Sequence, residues 1–303
     1  LEEPLLFGLR LYFFFKYCTD AIQKMIFHCR FDPLIIANKL ARMNVQMQVY
    51  NDFPIAQTLW YKVGGKVKYF LPAESREDLL RALEFIDTNK PKRIFFCGLG
   101  ANLIFPDDYF DGAVIQIAAP KKSTQGITLK GDGQLEAFSG VVLDDVITTA
   151  LASKLTGLEW AGGLPGTVGA GIRGNVGAFG GEIKDNFISA EVLDTSAKGF
   201  HFSRIKKEDF HFAYRNSIVK EQRNLLVVSA LFGFQESDPE SVAKAYAVYQ
   251  KNITYRKEHH PIEYPNCGSV FKNVAEIKNV EKVISVWPDV QELIQAKWHG
   301  KVS

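Results

Sequence analysis

The chain has no cysteine pair at metal-binding spacing. Its four cysteines, Cys18, Cys29, Cys97 and Cys267, form no C-x-x-C and no cluster with histidine at zinc spacing, which excludes the usual zinc sites. Such sparse thiols fit a reduced compartment, and a cytoplasmic protein is expected. His259-His260 has no second ligand pair near it, so no metal is expected. Charge of one sign is also lacking: 36 Lys+Arg against 34 Asp+Glu leave a net +2. Composition therefore carries no signature of a nucleic-acid partner. There is no long apolar run. Leu5 to Tyr17 is apolar and aromatic but contains Arg10 and Lys16; it is too short and too charged to span a bilayer and lacks a signal-peptide cleavage site, so no stable membrane insertion is expected. Two nucleotide-binding signatures are missing as well. No G-x-x-x-x-G-K-[ST] occurs, and no strand–GxGxxG–helix unit with a following acid, which excludes a P-loop and leaves a Rossmann unit unsupported.

What is present is glycine in dense runs. Gly162 to Gly171 reads GGLPGTVGAG, and Arg173 to Glu182 reads RGNVGAFGGE. Glycine is favoured where backbone takes positive φ or approaches a ligand closely, and exposed amides of such segments accept phosphate oxygens. A large anionic cofactor lying against main chain is one reading. A cluster of turns without a ligand is the other.

At 303 residues, 47% of them hydrophobic and 23% charged, the chain is long enough for two domains and a sizeable core. Trp60 to Pro72 reads as strand, glycine turn, strand. Ser75 caps a helix with Glu77 and Asp78 in its first turn; Leu79, Leu80, Leu83 and Ile86 mark its buried face, and Pro91 follows its end. Arg93 to Cys97 is read as a short buried strand running into the loop Gly98-Leu99-Gly100-Ala101-Asn102-Leu103, where ligand contact at a strand's carboxyl end is plausible. Strands are expected at Ala113–Ile117, Ile127–Lys130, Leu135–Phe138, Ile188–Asp194 and Asn224–Phe234, the last nearly all apolar and therefore central. Helices are expected at Asp144–Lys154, Glu240–Arg256 and Val280–Trp298, the last broken at Pro288. The fold class is α+β.

Five pieces of the sequence occur in the order of one family. They are Val63-Gly64-Gly65 with Pro72; Gly98 to Leu103; Gly163-Leu164-Pro165-Gly166-Thr167-Val168-Gly169 with Asn175 to Glu182; Tyr214-Arg215-Asn216-Ser217; and Pro261 with Cys267-Gly268-Ser269-Val270-Phe271-Lys272-Asn273. Together they resemble the UDP-N-acetylenolpyruvoylglucosamine reductases, flavoproteins of bacterial cell-wall synthesis. The resemblance runs from about Asn44 to Asn273. It implies a PCMH/VAO-type FAD-binding fold, FAD as cofactor, NADPH as hydride donor, and UDP-GlcNAc-enolpyruvate as small-molecule substrate. The implied layout is a non-matching extension at 1–43, an FAD-binding domain of two subdomains at 44–235, and a partial α+β substrate-binding domain at 236–303. A monomer is expected.

The resemblance also implies roles. Gly98, Leu99, Gly100, Ala101, Asn102 and Leu103, with Gly163, Leu164, Pro165, Gly166, Thr167, Gly169, Asn175, Gly177 and Ala178, become the cofactor-binding set. Arg215 is the cation that stabilises the enolate formed when hydride reaches the enol ether. Ser269 is the proton donor that quenches it. Tyr214, Lys257 and Asn273 are substrate contacts. Plainer readings exist for the pair: Arg215 as a surface ion pair and Ser269 as a turn residue. The spacing of Arg215 and Ser269 resembles the subclass without an inserted tyrosine loop.

Two departures stand out. Phe179 replaces the family's tyrosine and loses one hydroxyl. After Asn273 the sequence has Val274 where proline is usual and contains neither the family's Ser-x-Lys-His motif nor its late catalytic glutamate, for which Glu276, Glu281 and Glu292 come too early. The expectation is a C-terminally truncated copy, poor in catalysis but able to bind FAD, with alternatives of a degenerate flavin-binding protein or another PCMH-type flavin oxidase. At the other end, residues before Met43 are expected to be an amphipathic extension or translated sequence upstream of the true start.

Overall fold

The computed structural model of the protein describes residues 48–196, 200–261, 263–266, 268, 280–289 and 291, all within the compact unit Gln48–Ser303. The first layer is built from β1 (Tyr50–Pro54), β2 (Lys66–Ala73), α1 (Arg76–Asn89), β3 (Ile94–Cys97) and β4 (Phe110–Ile117). The sheet order is β1-β2-β4-β3, with β1 antiparallel to β2 and the other two pairings parallel. Parallel neighbours need a crossover, and α1 supplies one. Ser75 starts it through a reciprocal capping box: its Oγ accepts the Asp78 N–H at 3.1 Å while its own N–H donates to Asp78 Oδ2 at 3.1 Å. Leu79, Ala82, Leu83 and Ile86 face inward. Lys90 ends the helix in the left-handed region, just before Pro91.

Two strand expectations change. Trp60 to Val63 is a turn, with Lys62 at φ +56°; the strand pairing with β2 lies earlier, at Tyr50–Pro54. β3 is an edge strand, and Ile94 is exposed. Its carboxyl end nevertheless lies beside that of β4, with Cys97 opposite Gln116, and this positions the glycine loop that follows.

The second layer contains β5 (Ile127–Gly131), β6 (Gln134–Phe138), α2 (Leu143–Ala152), β7 (Leu155–Thr156), α3 (Val168–Arg173), β8 (Gly177–Ala178), β9 (Gly181–Glu182), α4 (Ile183–Asn186), β10 (Phe187–Asp194), β11 (His201–Lys206), α5 (Ile218–Glu221), β12 (Leu225–Gly233) and β13 (Gln235–Glu236). Its main sheet has the order β11-β10-β12-β6-β5. β12 is central, as its apolar sequence demands, and Val227, Val228, Ala230 and Phe232 are buried. Phe187 anchors an aromatic cluster, with ring centroids 4.6 Å from Phe210 and 5.0 Å from Phe212.

α6 (Pro239–His259) begins at Asp238, whose carboxylate accepts the Ser241 N–H at 2.8 Å, and α7 spans Val280–Val286. The expected domain boundary at 235 is followed almost at once by α6. Ala245, Tyr249 and Asn252 are its buried residues, and Asn252 bonds the main chain of Glu159 and Trp160. Among the described residues, no helix is long and apolar enough to cross a membrane.

Phe187→Ala should lower stability by about 3–5 kcal/mol, because the ring is 1% exposed and its removal leaves a cavity. Urea unfolding followed by tryptophan fluorescence measures this, and a loss under about 1 kcal/mol would show that the cluster collapses to fill the space.

Candidate cofactor and active site

The loop Gly98–Leu103 leaves the end of β3 and is tied down from beneath. Gln116 Nε2 donates to Gly98 O at 3.1 Å and to Thr58 O at 3.2 Å, and Trp60 N–H donates to Leu99 O at 2.8 Å. Among the described residues, the main-chain N–H groups of Leu99, Gly100, Ala101 and Asn102 donate to no main-chain carbonyl. A run of free, adjacent amides is the donor set that phosphate oxygens take.

The second glycine segment meets the first. A Cβ on Gly98 would lie 2.6 Å from Thr167 Oγ1, so only glycine permits the approach. Thr167 is buried and precedes α3 with no side-chain capping bond to that helix. The segment is laid against residues 139–143 by Gly169 N–H to Ser139 O at 2.8 Å, Val168 N–H to Val141 O at 2.9 Å, and Leu143 N–H to Gly166 O at 3.0 Å. Gly166 adopts φ +143°, a conformation closed to other residues, and open space lies where its Cβ would be. A cradle of exposed main chain with an open side fits a large cofactor bearing a diphosphate.

The third part surrounds Asn175. Its side chain is fully buried and already engaged: Nδ2 donates to Ala213 O at 3.0 Å and to Glu182 Oε2 at 3.2 Å, and Oδ1 accepts the Lys184 N–H at 3.3 Å. It holds the walls of the site together. Across from it, Ala213 and Asn216 exchange N–H···O bonds of 3.1 and 3.0 Å, closing a tight turn that presents Tyr214 and Arg215. Arg215 is held at φ +55°. Its Nη2 donates to Gly177 O at 3.0 Å, and its guanidinium carbon lies 5.2 Å from the Tyr214 ring centroid. Ser217 Oγ donates to Arg173 O at 2.9 Å beneath the turn. Arg215, Tyr214, Gly177 and Ala178 are thus brought together.

A residue that sequence reasoning passed over closes the glycine segment. Lys257 is exposed, whereas its neighbour Arg256 is half-buried and donates from Nε to Gly162 O at 3.0 Å. Its guanidinium carbon sits 5.0 Å from the Phe179 ring centroid, and Nη2 is buried without a partner. Burial pushes the Arg256 pKa down. Two further bonds fix the segment: Tyr249 donates to Asp144 Oδ2 at 3.0 Å, and Gly163 N–H donates to Asp144 Oδ1 at 3.3 Å. Burial, then the Asp144 carboxylate, pushes the Tyr249 hydroxyl well above its ordinary value. The helical spacing of Tyr249, Asn252, Ile253 and Arg256 would have revealed this face. Ser269 and Asn273 lie outside the described residues. Asn266, just before them, accepts from Trp60 Nε1 at 3.1 Å, in the turn whose Trp60 N–H also meets Leu99 O.

Asn175→Ala should lower the melting temperature of the flavin-free protein, since buried groups around it lose partners worth about 1–3 kcal/mol. An unchanged melting temperature would show that these bonds contribute nothing to the fold.

Comparison with known proteins points to one family. A family model described as an FAD binding domain matches residues 67–203, a span that contains both glycine segments. The UDP-N-acetylenolpyruvoylglucosamine reductase of Caldicellulosiruptor bescii is 33% identical over 232 residues, covering 76% of this chain and 69% of that protein. The enzyme of the same name from Listeria innocua is 32% identical over 220 residues, covering 72% and 69%. The crystal structure of UDP-N-acetylenolpyruvylglucosamine reductase from Thermus caldophilus superposes with a TM-score of 0.58 at 25% identity, over 80% of this chain and 79% of that one. These relatives favour the reductase over another flavin oxidase or a flavin-binding protein without activity. With an α+β FAD-binding fold, two glycine segments in contact and relatives aligned along most of its length, the chain belongs to the UDP-N-acetylenolpyruvoylglucosamine reductase family.

Proposed function

We propose that this chain uses NADPH and FAD to reduce UDP-GlcNAc-enolpyruvate to UDP-N-acetylmuramate, a step in peptidoglycan precursor synthesis. The observation that carries the reading is the docking of the Gly98 turn on Thr167 beside free main-chain amides. When bound there, FAD would carry hydride from NADPH to the enol ether. The protein's own groups do the rest. The amides of Leu99 to Asn102 donate to the diphosphate oxygens without a Lys or Arg side chain in the loop. Arg215 pairs with the substrate carboxylate and stabilises the charge that builds beside it as the enol ether is reduced. Ser269 supplies the proton to the enolate carbon. Tyr214, Lys257 and Asn273 contact the substrate, and Arg256 joins them on the geometry of its orphaned guanidinium nitrogen. The protein works as a cytoplasmic monomer with no nucleic-acid partner.

The purified protein should be yellow, release FAD on denaturation, and oxidise NADPH only when the enolpyruvyl substrate is supplied. A protein that stays colourless after reconstitution with FAD would remove the reading. Arg215→Ala should cut turnover by about 10²–10³ while leaving FAD affinity near that of the unsubstituted chain. Unchanged turnover would take Arg215 out of the chemistry.

A further inference from the structure

Gln116 is the polar residue in an otherwise apolar run, Ala113-Val114-Ile115-Gln116-Ile117, and all five are buried. Its register partners on the flanking strands are Pro72 of β2 and Cys97 of β3. Burying an amide among apolar side chains is unfavourable unless it is bonded. Here Nε2 donates at 3.1 Å to Gly98 O and at 3.2 Å to Thr58 O. The two carbonyls belong to different loops, and those loops are joined directly only a residue or two further on, where Trp60 N–H meets Leu99 O.

The geometry of a trans peptide makes this arrangement directional. The C=O of Gly98 and the N–H of Leu99 share one plane and point opposite ways. Pinning the carbonyl inward on Gln116 therefore turns the Leu99 N–H away from the sheet. That N–H is the first of the four free amides. The same bond holds Gly98 where a Cβ on it would lie 2.6 Å from Thr167 Oγ1. An apolar side chain of similar length would fill the space of Gln116 but would leave both carbonyls without a donor.

We propose that Gln116 is a positioning residue for the cofactor, holding the Gly98 peptide so that the amides of Leu99 to Asn102 face the diphosphate as one set. The inference rests on the FAD reading above. It is tested by titrating FAD into apoprotein at pH 8.5 and pH 5.5, following quenching of flavin fluorescence, for the unsubstituted chain, Gln116→Met and Gln116→Glu. Melting temperatures of the apoproteins are recorded alongside. Gln116→Met removes both donors and should raise the Kd for FAD on the order of tenfold or more at either pH. Gln116→Glu places a carboxyl against two carbonyl oxygens. Ionised, it donates to neither and repels both; protonated, it donates to one. Burial raises its pKa, so binding should be weak at pH 8.5 and return to within a few-fold of the unsubstituted chain at pH 5.5. The neighbouring Cys97 thiol, pushed up to about 12 by burial, stays neutral across this range.

Recovery at low pH, measured relative to the unsubstituted chain, is a signature that loosened packing alone would not produce. Normal FAD affinity in Gln116→Met overturns the positioning role. So does a Gln116→Glu defect of equal size at both pH values that follows the fall in melting temperature. Failure of the unsubstituted chain to bind FAD overturns the cofactor reading itself and this proposal with it. Tight binding by the unsubstituted chain together with unaffected variants overturns the positioning role alone.

Discussion

The contact between Gly98 and Thr167 is the constraint on which the site depends. One residue ends a strand of the mixed four-stranded sheet, and the other begins a helix laid over the antiparallel sheet. They meet so closely that a methyl group on the glycine would sit 2.6 Å from the threonine hydroxyl. Each side is fixed independently. Gln116 and Trp60 hold the glycine loop from the first sheet, and the carbonyls of Ser139 and Val141 hold the threonine segment from the second. The cradle is therefore a property of two layers meeting, and neither glycine run alone would make it. Because the donors are main-chain amides, the site can receive a diphosphate without a compensating cluster of lysines, consistent with a chain whose net charge is only +2.

α6 adds the next dependency. It follows the second sheet in sequence but packs back on residues 159–163, through Asn252 to the carbonyls of Glu159 and Trp160, Arg256 to Gly162, and Tyr249 to the Asp144 that also takes Gly163 N–H. A glycine segment is cheap to deform, since it has no side chains to pack and many accessible conformations. Four side chains from one helix and its partner remove that freedom. The helix that carries Arg256 and Lys257 is in this way the one that stiffens the glycine segment.

Local signals were legible in the sequence, and long-range ones much less so. Ser75 with Asp78 marked a helix start because capping is decided within four residues. The run Leu225 to Leu231 announced a central strand because burial on both faces leaves no polar alternation. Ile94-Phe95-Phe96-Cys97 read as buried for the same reason, yet it lies at an edge, and edge or centre is set by which strands pair rather than by the strand itself. Trp60 to Val63 read as strand from its aromatic and β-branched residues, but the backbone there is bent into the turn that reaches Leu99. In the site, Arg215 and the glycine loops are singled out by motif alone. Asn175 belongs to the same motif, and its side-chain amide is engaged by Ala213, Glu182 and Lys184. Motif membership does not separate a residue that touches a ligand from one that shapes the wall. Lys257 is singled out by its match to a family position, and the helical face carrying Tyr249, Asn252 and Ile253 turns its neighbour Arg256 inward.

Three of the eleven non-glycine residues with left-handed backbone among the described residues lie close together. Asn175, Phe179 and Arg215 all take left-handed backbone at φ +42°, +49° and +55°, each against the preference of an L-residue by about 1–2 kcal/mol. All three surround the strand pair Gly177–Glu182. Each is held by a specific contact: Asn175 by its buried amide bonds, Phe179 beneath the Arg256 guanidinium and edge-on to Tyr255 at 5.5 Å, and Arg215 by Gly177 O and by Lys220 Nζ donating to its own carbonyl at 2.6 Å. Strain of this kind persists only where the surroundings over-determine the backbone. Here the surroundings are the folded body itself, so the Arg215 side chain is oriented before any substrate arrives. For the role proposed for Arg215, a guanidinium placed in advance need not be ordered during the reaction.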